Sequence, residues 1–517
     1  MQREVMAVEV RKAILVGKID FYDAYKEWRN RARKYRPQTV VRIAMQFLGE
    51  PTASKFEDLQ RAPWQVLLLV KWICQDKLAN DLSGEDIPQA AFNDLRQKLW
   101  ELPERVNLGI RDTLPGQLFF RQLIHPQIGF QRHLSRGFVR EAALLAQQSE
   151  KHPLRSLFEA KVGISVLDFL DISTATYAAI LDGKRKLDIG WFFPLRNVYG
   201  DSAIDAFISC ISRTYPQAVE FCRALPRADT KVASEFYEFP VFSRYPFLRT
   251  GNMLECWHPA VFYRGIEGLV HSILSEEGKN YIDCFSKLFE VHVVTEAQKL
   301  GVPFLDEAAL RTLVPSEIKV PDGLLSFPNC NIFIESKAGL FDESVMTVGH
   351  SEIFANKTKA LRTAIKQGMS ASAGLRSEKR APSQVLDANR DYLLIVTNKE
   401  LSAGRGTALL SMYPPDTFNN HTSELTQFLP LSNIYVLSIE DFERLISGVS
   451  STEFSMPSFL DNSVEADKNA DSAVHFFEQH LDRLKVPRKY SELVENALSD
   501  ITTRLGRALE QQPAIEP

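Results

Sequence analysis

At 517 residues, with 45% hydrophobic and 24% charged side chains, the chain has the make-up of an ordinary globular protein with room for about three domains. Its formal net charge of −4 excludes a uniformly basic nucleic-acid coat, so any nucleic-acid contact must use a local basic surface. No apolar run reaches the roughly 18 residues of a membrane span; the longest, Trp64 to Cys74, is interrupted by Gln65 and Lys71.

The first residues, Met-Gln-Arg-Glu-Val, lack a signal-peptide core. The six cysteines, at 74, 210, 222, 256, 284 and 330, form no CxxC pair and no metal-ligand spacing. Together these predict a cytoplasmic protein with reduced thiols, no structural zinc and no membrane partner.

Residues 1–150 read as a helical N-terminal domain. Phe21, Tyr25, Trp28 and Ala32 recur at helical spacing, as do Leu67, Leu68, Trp72 and Ile73. Pro51, Pro63, Pro88, Pro103 and Pro115 punctuate the segments. Arg29, Arg31, Arg33, Lys34, Arg36 and Arg42, with Tyr25, Trp28 and Tyr35 nearby, form a first basic run; a solvated helix face and a nucleic-acid stripe explain it equally well. Residues 151–230 form a second helical block from His152-Pro153. There Gly163 should stop one helix before Ile164 begins the next, and Trp191, Phe192, Phe193 and Leu195 should be core.

Residues 231–265 read as a connector with a β-hairpin at Gly251-Asn252, which could extend a larger sheet or form a small separate one. Residues 266–450 alternate between helical and strand-like segments, the mark of an α/β unit. Tyr281 to Leu300 should be a helix, from Phe285, Leu288, Phe289, His292, Val293 and Ala297. Val320-Pro321-Asp322-Gly323-Leu324 and Asn331-Ile332-Phe333-Ile334-Glu335-Ser336-Lys337 should be the arms of a hairpin turning at Ser326-Phe327-Pro328-Asn329. Ile353 to Met369 reads as one helix, Tyr392 to Thr397 and Ile434 to Ile439 as strands, and Glu440 to Ile446 as a helix. Residues 451–472 look like a polar linker. Residues 473–517 should be helical, at Val474 to Leu484 and Tyr490 to Leu509. The stripe Val494, Leu498, Ile501, Leu505 and Leu509 should dock on the chain's own core, with a homodimer or partner contact as the alternative.

Side chains two apart on a strand share a face, so Glu335 and Lys337 project together. If the hairpin closes, Asp322 approaches Glu335, and paired carboxylates make a hard-oxygen site suited to Mg²⁺. Ile332-Phe333-Ile334 is apolar on both faces, as in a central strand, and charges at its end need compensation, which a metal and a phosphate supply.

Pro321-Asp322 followed by Glu335-Ser336-Lys337 resembles the signature of the PD-(D/E)XK, or restriction-endonuclease-like, nucleases, and the surrounding element order resembles their core over roughly 270–450. The resemblance implies a multidomain fold, α+β with an α/β nuclease core of mixed sheet flanked by helices, behind the helical N-terminal region and ahead of C-terminal helices. It implies a Mg²⁺-dependent endonuclease in which Mn²⁺ can substitute. Asp322, Glu335, the Ser336 carbonyl and Glu290 would bind the metal, with Glu296 a weaker candidate than Glu290. Lys337 would position the nucleophilic water. Phosphates would meet the second basic run, Lys357, Lys359, Arg362 and Lys366, with Gln367 beside them; Arg376, Lys379 and Arg380 extend it. DNA is favoured over RNA as substrate, and proteins of similar build point to prokaryotic defence with a phage-derived trigger. A tRNA-cleaving toxin and a non-catalytic sensor are the rivals.

No phosphate-binding Gly-x-x-x-x-Gly-Lys loop, Gly-x-Ser-x-Gly elbow or His-Glu-x-x-His helix occurs. Ser402 to Gly406 should be an exposed loop, and His271, His292 and His350 packed or surface residues.

Overall fold

Phe21, Ala24, Tyr25, Trp28 and Ala32 line one side of the Phe21–Ala32 helix and are all buried. The structure is a computed structural model that describes residues 20–105, 116–131, 136–226, 233–340, 343–418, 423–449, 454–469 and 471–510. The N-terminal pentapeptide and Pro115 lie outside these. Trp72, from the Pro63–Asp76 helix, sets its indole edge-on to Tyr25 and Trp28, at 5.0 and 5.2 Å. These rings found a core shared with Val219, Phe236 and Trp257 from the middle of the chain.

This packing decides the character of the first basic run. Tyr25 and Trp28 are inside the core, where they cannot stack on bases. Arg33 donates twice to Asp76 at 2.7 Å, Arg31 donates to Glu27, and Arg36 pairs with Asp86. Arg31, Arg33 and Arg36 are thus charge-paired, while Lys34 and Arg42 are exposed.

The Pro153–Val162 helix starts on the His152 cap and ends at Gly163, whose φ of 79° closes it before the Val166–Leu181 helix. Phe192 and Leu195 are core and Trp191 is half-buried, but Phe193, also expected there, is 63% exposed. Successive helical residues point about 100° apart, so adjacent aromatics cannot all face one core.

Two short strands occur where only helices were expected, β1 (Lys186–Asp188) and β2 (Ser212–Thr214). Three residues carry too little periodicity to be recognised. They flank the hairpin of β3 (Phe247–Thr250) and β4 (Met253–Cys256) in a separate sheet ordered β1-β4-β3-β2.

The second sheet contains β5 (Phe304–Asp306), β6 (Gly323–Ser326), β7 (Cys330–Lys337), β8 (Arg390–Thr397) and β9 (Ile434–Ser438), in that order. β5, β6 and β7 pair antiparallel; β7, β8 and β9 pair parallel. Ile332, Ile334, Leu394 and Val396 join the core that contains the Lys279–Gln298 helix, while Phe333, Leu393 and Ile395 join the core that contains the Lys359–Glu378 helix. β7 and β8 are therefore buried on both faces, and the protein is of mixed α+β type.

Four expectations are corrected here. The single helix expected from Ile353 to Met369 is two, Ser351–Lys357 and Lys359–Glu378. They break at Thr358, whose hydroxyl lies 2.7 Å from the Phe354 carbonyl and 2.8 Å from the Tyr413 hydroxyl; such side-chain bonds compete with the helix. Ser402–Gly406 is no exposed loop: Ala403, Gly404 and Gly406 are buried, and a Cβ on Gly406 would stand 1.7 Å from the Leu431 carbonyl oxygen. The supposed linker at 451–472 carries the Met456–Lys468 helix, with Met456, Phe459, Leu460 and Ser463 buried. Its narrow buried face left the composition polar. The basic run beyond Gln367 is also partly spent, since Arg376 donates to buried Asp391 at 2.7 and 2.8 Å and Arg380 pairs with Glu378.

Phe477–Arg483 is the shorter form of the helix expected from Val474. On the final helix, Glu492–Glu510, Val494 and Ile501 enter the chain's own core, Leu498 and Leu505 pack against it, and Arg504 grips Asp171 at 2.8 and 2.5 Å. The Leu509 side chain lies outside the description. All six cysteines are free. Among the described residues, no single helix is long and apolar enough to cross a membrane.

Candidate active site

The β6–β7 hairpin pairs Gly323 with Ile334 and Ser326 with Asn331, so one further step sets Asp322 opposite Glu335. Ser326, expected in the turn, belongs to β6; the turn is Phe327 to Asn329, closed by the Phe327 N–H donating to the Cys330 carbonyl at 2.9 Å. Gly323 lets β5 come close: a Cβ there would lie 2.3 Å from the Phe304 ring.

At the mouth of the hairpin the Ser336 N–H and hydroxyl both donate to Asp322 Oδ2, at 2.6 and 2.7 Å. That fixes the Asp322 carboxylate beside the end of β7. The Lys337 ammonium donates to Glu335 Oε1 and to the Ser336 carbonyl, the latter at 3.1 Å. Glu335 itself is only 1% exposed; its second oxygen, Oε2, is buried and, among the described residues, has no well-formed hydrogen-bond partner, the Asp322 backbone N–H acting on the carboxylate only weakly. Burial, reinforced by the Asp322 charge and only partly offset by Lys337, pushes its pKa up to about 7. Lone burial of a carboxylate oxygen is costly unless a cation or donor meets it.

Glu290 sits half-buried on the Lys279–Gln298 helix. Burial, then Asp322 and Glu307, raise its pKa, and Lys337 pulls it back, so it is within electrostatic reach of Asp322 and Lys337. Glu307 is the acid that sequence reasoning missed. It opens the Glu307–Leu313 helix directly after β5, and only the β5–β6 pairing brings it near Glu290. Glu296 is instead buried and bonded to Lys299 at 2.9 Å.

Lys357 closes one short helix and Lys359 opens the next, both exposed, with Lys366 exposed and Arg362 half-exposed further along. Gln367 donates to the Val320 carbonyl at 3.4 Å, which ties this helix to the chain two residues before Asp322. His292 is buried against Glu443 at 2.8 Å, and Glu443 also receives Arg140 at 2.9 and 2.7 Å. His271 lies 3.0 Å from the Tyr281 hydroxyl, and His350 is exposed. None of the three joins the carboxylates.

The donor set tests whether a divalent cation fits. Two carboxylates and a carbonyl are hard-oxygen ligands of the kind Mg²⁺ takes, and the orphaned Oε2 is a buried acceptor that a cation would satisfy. The Lys337 ammonium already bridges Glu335 and the Ser336 carbonyl, as a positive charge should there. Among the described residues, however, no three His, Cys, Asp or Glu side chains converge as a metal-holding group. Glu290 therefore stands apart from Asp322 and Glu335 rather than completing a closed cage. Its place on a separate helix, half-open to solvent, is the physical reason.

No protein-family model, curated protein or solved structure matches this chain.

Proposed function

We propose that this protein is a Mg²⁺-dependent phosphodiesterase, a restriction-endonuclease-like nuclease that hydrolyses DNA, with Mn²⁺ able to replace Mg²⁺. The observation that carries the reading is Glu335: a carboxylate on a strand buried on both faces, beside a second carboxylate, with one oxygen left without a partner. Lys337 offsets only part of that burial, and the carboxyl pKa of about 7 shows that the ionised form is undercompensated; a cation at the second oxygen would hold it ionised.

Asp322 and Glu335 would hold the ion with the Ser336 carbonyl, and Glu290 would be linked to it through water. A bound Mg²⁺ supplies Lewis-acid polarisation of a phosphoryl oxygen and lowers the pKa of its water. Ser336 keeps Asp322 oriented through its two donated hydrogen bonds. Lys337, at the mouth of the hairpin beside Glu335 and the Ser336 carbonyl, would orient the attacking water and neutralise charge building on the phosphate. Lys357, Lys359, Arg362, Lys366 and Gln367 would contact the substrate backbone on the helices after the site. A role in prokaryotic defence, with a phage-derived trigger, rests on the likeness of build alone.

The test is cleavage of plasmid, linear and single-stranded DNA and of tRNA by the full-length protein, with Mg²⁺, Mn²⁺ or EDTA, beside Asp322→Asn. Metal-dependent DNA cutting that the variant abolishes supports the reading. Cutting of tRNA alone moves the substrate to RNA, and cutting that survives Asp322→Asn or EDTA sinks the site.

A further inference from the structure

With a divalent cation in place, the charges at the hairpin mouth cancel. Glu307 is held by Arg311, whose Nε donates to it at 3.1 Å. The remaining acids, Asp322, Glu335 and Glu290, are matched by Lys337 and the two charges of the cation. Each backbone phosphate of a nucleic acid then arrives as an unbalanced negative charge. Cations that the fold has not consumed must meet it.

Two lysines beside the hairpin fit that description. Lys287 is exposed on the Lys279–Gln298 helix, three residues before Glu290 and so on the same flank. Its charge acts on the Glu290 carboxyl together with those of Asp322 and Lys337, which places it in the same charge cluster. Lys319 is exposed three residues before Asp322. At no more than about 3.6 Å per residue, its Cα lies within about 11 Å of the Asp322 Cα. Asp283 and Glu317 stand close to them in sequence, yet among the described residues neither lysine has a carboxylate within ion-pair distance.

The two lysines also lie on opposite sides of the sheet. The helix that carries Lys287 packs in the core of Ile332 and Ile334. Ile318 and Val320, on either side of Lys319, pack in the core of Phe333 and the Lys359–Glu378 helix. A run of phosphates from one lysine to the other therefore crosses the end of β7, where Glu335 and Lys337 stand.

We infer that Lys287 and Lys319 bind the backbone phosphates flanking the one that is cut, one on each side of β7, so that the substrate is the interior of a DNA chain. This rests on the phosphodiesterase reading above and adds to it the path of the substrate.

Fluorescence anisotropy of the full-length protein with a short labelled DNA duplex tests this. Ca²⁺, which takes the same kind of oxygen ligands, is present in the binding assay, and plasmid cleavage in Mg²⁺ runs alongside. Lys287→Glu and Lys319→Glu should each weaken binding at least about tenfold. Lys287→Ala and Lys319→Ala should each lower the slope of log affinity against log salt by about 1, and the arginine variants should restore it. Lys34→Glu, the same charge change at an exposed lysine of the N-terminal region, should leave binding as it is. Full affinity in both glutamate variants, with metal-dependent cutting intact, overturns the proposal and leaves the nuclease reading standing. A wild type that neither binds nor cuts DNA overturns both. Equal weakening in Lys34→Glu, or cutting confined to DNA with free ends, also overturns the proposal.

Discussion

Asp391, near the start of β8, and Glu335, near the end of β7, are carboxylates on neighbouring parallel strands, 0% and 1% exposed. Their surroundings differ. Asp391 accepts from Asn331 at 3.0 Å, from Ser372 at 2.5 Å, and from Arg376 at 2.7 and 2.8 Å, so both of its oxygens are engaged. Arg376 lies in turn over the Phe428 ring and donates to the Ala388 carbonyl. Glu335 has one ammonium for one oxygen and, among the described residues, no well-formed hydrogen-bond partner for the other. Equal burial with unequal satisfaction separates a carboxylate that holds the sheet together from one kept available.

The comparison can be broken most directly at Asp391. Replacing it with alanine leaves the Arg376 guanidinium buried without its counter-ion, and urea unfolding should show a loss of about 3–5 kcal/mol. A loss well under 1 kcal/mol would remove the contrast. At the other end, Glu335→Ala and Lys337→Ala should each lower metal-dependent cleavage by about 10²–10³-fold, and Glu335→Ala should leave the melting temperature level or raise it, because it removes a buried carboxylate that is only partly compensated. Melting that drops as far as in Asp391→Ala would make Glu335 structural.

The pH dependence sharpens the same contrast. The Glu335 pKa is raised from the ordinary 4.5 to about 7, so between these values the folded metal-free protein holds a proton that the unfolded chain has released. Its contribution to stability is therefore most favourable below about pH 4.5, falls as pH rises to about 7, and is constant above. The change is on the order of 3 kcal/mol. Urea titrations in EDTA at pH 5 and pH 8 should show this slope in the wild type and a reduced one in Glu335→Gln. Over the same window Mn²⁺ or Mg²⁺ binding should strengthen with pH and release a proton, since the ligand must be ionised; calorimetry in two buffers of different ionisation heat checks it. The smallest effect belongs to exposed Lys366. Lys366→Ala should weaken DNA binding uniformly across sequences and lower the slope of log affinity against log salt by about 1.

Much of the five-stranded sheet could be read in advance because its strands are long or flanked by strong turn signals. Ile332 to Ile334 and Tyr392 to Val396 are apolar throughout, as strands covered on both faces must be. That Asp322, Glu335 and Lys337 meet is legible because a hairpin of that length leaves them one place to go. Glu307 was not, since nothing local to Phe304–Asp306 tells which strand it will pair with. The Met456–Lys468 helix escaped notice because a single narrow face sufficed to bury it.

Pattern along the chain, then, was enough for helix faces, for the hairpin and for the charge types at its mouth, because these follow from the fixed periods of helix and strand. Tertiary packing decided which charges were consumed. Arg33, Arg376 and Arg504 look alike in the sequence to Lys366, yet each is paired with a carboxylate by the fold. Asp391 and Glu335 look alike as strand acids, yet only one received partners for both oxygens. Satisfaction of a buried charge depends on groups brought from far along the chain, Arg376 to Asp391 and Asp322 to Glu335 among them, and no local window contains both members of such pairs.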